Sequence, residues 1–358
     1  MLFPHRKPTP KIVYKSEKQN FNRRAIMLIT EQDIINTYSQ EEQCSCRKYV
    51  EYKELMRENP SFGYKRCAKL LGVSQGRVRW WHTKGAKRAV PLALKAVEKL
   101  KNVGIIPFTE EHKHANVILN ILGTLFGDGG IDRRLNTAAF ISSDKKDVDL
   151  WKKDLLEAFP FAKNKMNLVE GGEWGHSYNI RTFDRSIIRF FVALGAPVGD
   201  KVAIKYSLPN YIFNVSYEHR IAFLDGMLAS EVSVPRFRDD SYQNKRFTDF
   251  SLSLSKIDTL QDEHRLFMRS FEDLLNSVEV ATTGNLRKDF HLKRKRKDGH
   301  LSSPYRIFIR TIFWRVLYFN NLFPLRYCHG KKKRLQKEIE FAVNYKQKSV
   351  KRGLEKCL

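Results

Sequence analysis

The feature that most constrains the fold is an order of helices and strands that occurs twice in the C-terminal part of the chain. The first copy begins with an apolar helix over 115–127, has strand-like segments on both sides of an amphipathic helix over 144–159, and ends with a helix from residue 184. The second copy repeats this order, with an apolar helix over 218–230 and an amphipathic helix over 258–278. We therefore predict an α/β fold of the α+β type, in which an αββαββα unit is duplicated.

The charge of the chain indicates a polyanionic partner. The 358 residues include 65 Lys and Arg against 39 Asp and Glu, so the formal net charge is +26, a balance typical of proteins that bind nucleic acid. No apolar run reaches the roughly 18 to 20 residues needed to span a bilayer, and residues 1–18 are too polar and basic for a secretory signal. We therefore expect a cytoplasmic protein without a membrane partner. The five cysteines have no paired spacing, so no zinc site is predicted.

A segment over 64–81 has the pattern of a helix-turn-helix. Small Ala68 allows a second helix to approach closely, Gly72 can adopt the left-handed conformation of a tight turn, and Ser74 can cap the next helix. The residues that would then contact DNA are Ser74, Gln75, Arg77, Arg79 and Lys84. An ordinary helical hairpin with a glycine at its bend has the same pattern, and both interpretations stay open.

Changes in composition along the chain predict its division into segments. A break that contains Gly and Pro separates the helical N-terminal part from the duplicated part. The predicted segments are a basic flexible arm over 1–28, a small all-helical helix-turn-helix domain over 29–106, the two copies over 113–215 and 216–345, and a basic tail over 346–358.

Two short motifs occupy the ends of the leading helices of the two copies. The first is Ile121-Leu-Gly-Thr-Leu-Phe-Gly-Asp-Gly129, and the second is Leu224-Asp-Gly-Met-Leu-Ala-Ser-Glu-Val232. Both resemble the nine-residue motif of the LAGLIDADG homing endonucleases, and the order of the chain is similar to the monomeric, two-motif archaeal type. The segment Leu194-Gly-Ala-Pro-Val-Gly-Asp-Lys201 resembles the link that these enzymes place between their repeats. Phe126 and Val232 depart from the usual pattern, which has an acid and a glycine at these positions.

The resemblance covers roughly residues 113–345 and implies a function. It implies that Asp128 and Glu231 are catalytic acids that bind a divalent metal, and that each serves one scissile phosphate in a double-strand cut. It also implies that the strands of the two pseudo-symmetric copies form two antiparallel, saddle-shaped sheets that bind a long double-stranded DNA site. A monomer with internal symmetry follows from the presence of two motifs in one chain.

The residues of the motifs support the same chemistry. Each helix has a stripe of small residues on one face, which consists of Gly123 and Gly127 in the first helix and Gly226 and Ser230 in the second. Two such helices can pack closely, and if they run in the same direction their final acids meet where both helix dipoles are negative. The repulsion between two carboxylates there favours a cation such as Mg²⁺ or Mn²⁺ between them, which can activate water for phosphodiester hydrolysis. Two exposed helix-end acids over well-packed helices are the alternative interpretation.

Further basic residues lie where the strands of the two copies turn. The predicted phosphate contacts of this kind are Arg133, Arg134, Lys293, Arg294, Lys295 and Arg296. A solvated basic hairpin is the alternative for the last four. Arg236 and Arg238 are instead alternate residues of a strand and could point toward bases. The resemblance also implies catalytic lysines, for which Lys201 and Lys256 are candidates only by rough location. We expect each instead to be a phosphate contact or a solvated lysine.

We therefore predict a site-specific, Mg²⁺-dependent DNA endonuclease whose recognised sequence is extended by the helix-turn-helix. A transcriptional regulator that retains the DNA-binding surface and has lost cleavage is the first alternative. An RNA maturase that uses the same basic surface is the second, which the helix-turn-helix disfavours because that motif binds duplex DNA.

Overall fold

The computed structural model describes residues 26–83, 89–171, 176–238, 246–248, 250–288 and 292–355, with side chains through residue 345. Most of the predicted N-terminal arm and the predicted DNA contact Lys84 therefore lie outside the described residues. No helix of the described part is long and apolar enough to cross a membrane.

The N-terminal part is mostly helical. Its elements are β1 (Met27–Ile29), α1 (Glu31–Asn36), α2 (Gln40–Glu58), α3 (Tyr64–Leu71), α4 (Gln75–His82), α5 (Leu92–Asn102) and β2 (Phe108–Thr109). Side chains that accept backbone N–H groups define three of the helix starts: Thr30 caps α1, Ser39 caps α2 and Ser74 caps α4. Helix α3 ends at Gly72, which has a φ of 62° and so adopts the left-handed conformation that glycine tolerates best.

The first copy has one four-stranded antiparallel sheet. Its elements are α6 (Ala115–Phe126), β3 (Gly130–Ile131), β4 (Ala138–Ser142), α7 (Lys145–Ala158), β5 (Met166–Glu170), β6 (Tyr178–Thr182) and α8 (Arg185–Ala193). The strand order is β3-β4-β6-β5. Alternate residues such as Phe140 and Ile180 are paired across β4 and β6 and are buried. The helices cover this apolar face of the sheet and leave the other face open.

The second copy has two antiparallel sheets. Its elements are α9 (Tyr217–Glu231), β7 (Arg236–Arg238), β8 (Arg246–Thr248), β9 (Ser251–Ile257), α10 (Gln261–Asn276), β10 (Arg287–Lys288), β11 (Arg294–Lys295), β12 (Leu301–Phe308), α11 (Phe313–Leu322) and α12 (His329–Glu355). Strand β12 pairs with β9, β10 and β11, and β7 pairs with β8. The predicted mixed fold with antiparallel sheets is confirmed. Helix α12 also continues through residues 346–355, where the composition predicts a basic tail.

The buried residues form two separate apolar cores. The smaller core joins α2, α3 and α4 through Tyr52, Cys67 and Val78. The larger core extends through both copies and includes Ile34 of α1 and Leu100 of α5. Helices α1 and α5 therefore pack on the duplicated part, although they belong to the segment that the sequence assigned to a helical domain. The cause is the apolar stripe of α5, because it packs against α8 and the duplicated part rather than against α3 and α4.

Helices α6 and α9 cross at the centre of the molecule with their backbones in direct contact. A Cβ atom added to Gly123 would lie 2.1 Å from the carbonyl oxygen of Phe223, and one added to Gly226 would lie 2.0 Å from that of Asn120. Toward the ends of the helices, a Cβ on Gly127 would lie 2.5 Å from the Cβ of Ser230. Residues nearer the C-terminal end of α6 contact residues nearer the C-terminal end of α9, so the two helices run in the same direction. Their C-terminal ends consequently lie side by side.

The crossing predicts a large stability effect for a single methyl group. We expect Gly226→Ala to lower the free energy of unfolding by about 3 kcal/mol or more, because the new Cβ would overlap a backbone carbonyl that cannot move without parting the helices. Denaturant-induced unfolding monitored by circular dichroism measures the effect. Gly330→Ala is the matched control, since Gly330 is also helical and a Cβ there meets nothing within 4 Å. Equal stability of the two variants would contradict the close crossing.

Candidate active site

Asp128 and Glu231 follow directly from the close contact between Gly127 and Ser230. Glu231 is the last residue of α9 and is half-buried, whereas Asp128 follows the C-terminal cap of α6 and is exposed. The parallel crossing therefore brings the two predicted acids to one end of one helix pair. Their predicted role in metal binding remains a prediction.

The electrostatic environment of Glu231 shows that the acids influence each other. Burial, followed by the nearby charge of Asp128, raises the pKa of Glu231 to about 7, although the charges of Lys201 and Lys331 oppose the shift. An additional cation nearby would stabilise the ionised form of such an acid. This is the electrostatic condition that a divalent metal would satisfy.

Two lysines bind the C-terminal ends of the central helices. The Lys201 ammonium donates to the carbonyl of Gly129 at 2.6 Å and also to that of Gly127. The Lys331 ammonium donates to the carbonyl of Ser230. Each ammonium thereby satisfies carbonyl oxygens that a helix end leaves without partners and offsets the negative end of its dipole.

Lys201 is also coupled electrostatically to the acids. Burial lowers the pKa of Lys201, and the charges of Glu231 and Asp128 raise it. The sequence indicates Lys201 by rough location but gives no role to Lys331. The position of Lys331 in the chain could have identified it. Lys201 lies shortly after α8 in the first copy, and Lys331 lies shortly after α11 in the second.

Lys256 is a buried structural lysine, so the expectation of a solvated or phosphate-binding side chain is wrong. Only 2% of Lys256 is exposed. Its ammonium donates to the carbonyls of Ile204, at 2.6 Å, and Lys201, and it lies 3.7 Å from the ring centroid of Tyr206. Burial lowers the pKa of Lys256 to about 8. The side chain thus fixes the backbone segment that carries Lys201.

Val232 departs from the motif without disturbing the end of α9. Its N–H donates to the carbonyl of Leu228 at 3.1 Å, so the last turn of the helix is intact. Its side chain is buried, and its backbone forms an isolated antiparallel β-bridge with Leu252 in β9. At the corresponding place in the first copy, a Cβ on Gly129 would lie 2.8 Å from the carbonyl oxygen of Thr124. Glycine is therefore required in the first copy, whereas the second has space for valine.

A cleft of about 550 Å³ opens beside Asp128 over the outer face of the first sheet. It is lined by side chains that include Ile141, Asn179, Arg181 and Asp200. Arg181 was not identified from the sequence, although its place in the two-residue alternation of β6 could have indicated an outward side chain.

The predicted DNA contacts of the two copies differ in their surroundings. Arg133, Arg134, Arg236, Arg238, Arg294 and Lys295 are exposed. Lys293 instead forms an ion pair with Asp258 at 2.7 Å, and Arg296 pairs with Asp298 at 3.2 Å and with Asp200. The pair between Arg296 and Asp200 places the basic hairpin of the second copy next to Lys201.

The predicted contacts in the N-terminal part lie on one short helix. Gln75, Arg77 and Arg79 of α4 are exposed, and Ser74 accepts the N–H of Arg77 at 3.4 Å. Trp81 packs edge-on against Tyr49 with ring centroids 5.5 Å apart. The basic face of α4 therefore points to solvent while its other side completes the small core.

The donor set determines how a metal could be held. Within the residues that the structure describes, no three His, Cys, Asp or Glu side chains converge into a metal-binding group. Asp128 and Glu231 would therefore share a cation with water and with oxygens of a bound ligand. Mg²⁺ and Mn²⁺ suit such a site, because both accept carboxylate and phosphate oxygens, and Mg²⁺ retains several waters.

Comparison with known proteins gives partial matches to proteins of different names. No family model matches the sequence. The chain is 27% identical over 213 residues to the DNA-directed RNA polymerase subunit Rpo1N of Methanocaldococcus jannaschii, which covers 54% of this chain and 16% of that protein. It is 28% identical over 193 residues to the tRNA-splicing ligase RtcB of Pyrococcus abyssi (51% and 20%) and 25% identical over 211 residues to the archaeal Lon protease of the same organism (53% and 20%). The chain thus spans a fifth or less of the length of these relatives.

Among solved structures, the chain is similar to the homing endonuclease I-DmoI. Mesophilic variants of I-DmoI match with a TM-score of 0.38 and 15% identity, covering 59% of this chain and 92% of that one. I-DmoI in complex with DNA and Mn matches with a TM-score of 0.36 and 16% identity, covering 59% and 98%.

The raised pKa of Glu231 predicts a pH-dependent effect on stability. Between its ordinary value of 4.5 and about 7, the folded protein binds the Glu231 proton more tightly than the unfolded chain does, so this group lowers stability as pH rises through that window. In metal-free buffer at pH 8, we expect Glu231→Gln to raise the free energy of unfolding by about 1–3 kcal/mol. The gain should disappear near pH 4.

Denaturant unfolding of both proteins from pH 4 to 8 in the presence of a chelator measures this difference. Glu218→Gln is the control, because Glu218 is an exposed glutamate at the other end of the same helix. Parallel stability curves for Glu231→Gln and the unchanged protein would be incompatible with a penalised carboxylate.

Proposed function

We propose that the chain is a site-specific, metal-dependent DNA endonuclease of the LAGLIDADG homing type. The observation that carries the proposal is the parallel contact of α6 and α9, which delivers Asp128 and Glu231 to one place where the two charges influence each other. The two copies form a pseudo-symmetric core in this proposal, and a monomer supplies both acids. The net charge of +26 provides the attraction for double-stranded DNA.

We assign different roles in phosphodiester hydrolysis to the acids and the lysines of the site. Asp128 and Glu231 would hold Mg²⁺ or Mn²⁺ against the DNA backbone. When bound, such a cation supplies a water of lowered pKa and neutralises charge on the phosphate. Lys201 fixes the end of α6 and places a positive charge beside both acids. Lys331 has the equivalent role at the end of α9.

The relatives do not define the activity of this chain. A polymerase subunit, a ligase and a protease each match more than half of this chain, yet each match occupies a fifth or less of the relative. We therefore assign none of these activities to the chain.

We further propose that α3 and α4 form a helix-turn-helix that extends the recognised DNA site. The left-handed Gly72, the Ser74 cap and the exposed basic face of α4 support this assignment. The small core of α2, α3 and α4 makes this the independent module, while α1 and α5 serve as its attachment to the nuclease core. The same exposed face favours the alternative function, a regulator that binds DNA without cutting it.

Cleavage of a randomised plasmid library in Mg²⁺ tests the nuclease proposal. We expect defined double-strand cuts, and we expect Asp128→Asn and Glu231→Gln each to reduce the rate by about 10³-fold or more, because removal of one metal ligand removes charge stabilisation in the transition state. Asp149→Asn, which changes an exposed acid on α7, is the control and should cut normally. Specific binding without cuts in any divalent cation would instead support the regulator.

Footprinting tests the helix-turn-helix. We expect the double variant Gln75→Ala and Arg79→Ala to shorten the protected DNA at one end and to weaken binding about tenfold, because base and phosphate contacts are lost there. Arg57→Ala removes a positive charge from exposed α2 and serves as the control. An unchanged footprint would contradict a DNA-binding role for α4.

A further inference from the structure

The open face of the first sheet is poor in charge. The strand register places Ala139, Arg181 and Asn167 in one row across β4, β6 and β5, and Ile141, Asn179 and Val169 in the next. All six side chains are at least partly accessible, and Ile141 is 42% exposed. Three are apolar, two are amides and one is an arginine. Arg181 shares the cleft of Asp128, so it lies toward the centre rather than toward the far end of the sheet.

The corresponding faces of the second copy are rich in arginine. Arg287, Arg306 and Ser253 form one row across β10, β12 and β9, and Arg294 pairs with Ser302 further along β12. On the ribbon of β7 and β8, the outward row consists of Arg236, Arg238, Arg246 and Thr248, because the alternate residues Phe237 and Phe247 pack together. Among the described residues, this outward set contains six arginines: Arg236, Arg238, Arg246, Arg287, Arg294 and Arg306.

The two faces differ in the base edges that they match. Arginine donates two hydrogen bonds to O6 and N7 of guanine, asparagine pairs with N6 and N7 of adenine, and apolar groups contact the methyl group of thymine. On the first face, the amide side chains of Asn167 and Asn179 are each at least partly exposed.

The positions of these side chains favour base contacts over phosphate contacts. They lie at alternate positions along strands on the face of a sheet, whereas the exposed basic residues Arg133 and Arg134 lie in the turn between β3 and β4. Arg287 also lies over the ring of Phe308, with 5.6 Å between the guanidinium carbon and the ring centroid. This cation–π contact holds the guanidinium on the same face of the sheet.

We infer that the chain binds an asymmetric DNA target, in which the half under the first sheet is rich in A·T pairs and the half under the second copy contains several guanines. This inference rests on the proposed DNA-binding function and specifies its substrate. The difference between the two halves would follow from the side chains on the open faces of the sheets.

A binding selection with the full chain tests the composition of the target. The chain is incubated in a chelator, which prevents cutting, with duplexes that contain 40 randomised base pairs, and the bound fraction is sequenced. We expect one motif whose two halves differ, with A·T pairs in one half and guanines in the other. A motif with halves of equal composition would overturn the inference and leave the DNA-binding function intact. The absence of any enriched motif would overturn both.

Modified bases then assign each half to a sheet. Deoxyuridine in place of thymidine removes only the methyl group, and 7-deazaguanine removes only the N7 acceptor. We expect deoxyuridine to weaken binding severalfold in the A·T-rich half, and 7-deazaguanine to weaken it about tenfold at contacted positions of the other half. Equal effects of each modification in both halves would contradict the assignment.

Single variants link these effects to residues. Arg306→Ala should abolish the sensitivity to 7-deazaguanine at one or two positions of its half, while Ile141→Ala should reduce only the sensitivity to deoxyuridine in the other half. Arg134→Ala, which removes an exposed turn arginine, is the control and should weaken all sequences alike. If Arg306→Ala behaves like Arg134→Ala, the arginine face contacts phosphates and the inference is wrong.

Discussion

The contact between the α6 and α9 backbones is the constraint on which the rest of the structure depends. Gly123 and Gly226 each lie against a backbone carbonyl of the other helix, at a separation that no larger residue allows. This crossing joins the two copies and fixes the direction of both helices. It therefore determines where Asp128 and Glu231 lie before either sheet is considered, and the sheets extend from the same centre.

Bringing two helix C-termini and two acids together concentrates negative charge, and the chain balances it with lysines from elsewhere. Lys201 binds carbonyls at the end of α6, and Lys331 binds one at the end of α9. Lys256 then fixes the backbone of Lys201 from β9, so the second copy supports the site of the first. The balance is incomplete, since Glu231 retains a raised pKa. Burial is the main cause of that raised pKa, and in the proposed nuclease a divalent cation would stabilise the ionised carboxylate.

The sequence predicted the features that depend on local pattern. The glycine stripe, the acids at the helix ends, the Ser74 cap and the strand alternation all follow from spacing along one element. The contacts of Lys256 and Lys331 did not follow, because each joins residues that are far apart in the chain and nothing local distinguishes a buried lysine from a solvated one. The packing of α5 on α8 was missed for the same reason, since an apolar stripe does not indicate which core covers it.

The difference between Gly129 and Val232 explains how one copy can depart from its motif and keep its acid. At Gly129 the backbone passes within contact of the Thr124 and Ala139 carbonyls, so a side chain would displace the first strand and Asp128 with it. At Val232 the chain leaves α9 and its side chain is buried beside β9, while the last hydrogen bond of the helix remains. The position of Glu231 is set upstream of this residue, by the crossing at Gly226. The packing beside β9 can therefore accommodate a substitution at the residue after Glu231 without moving the carboxylate.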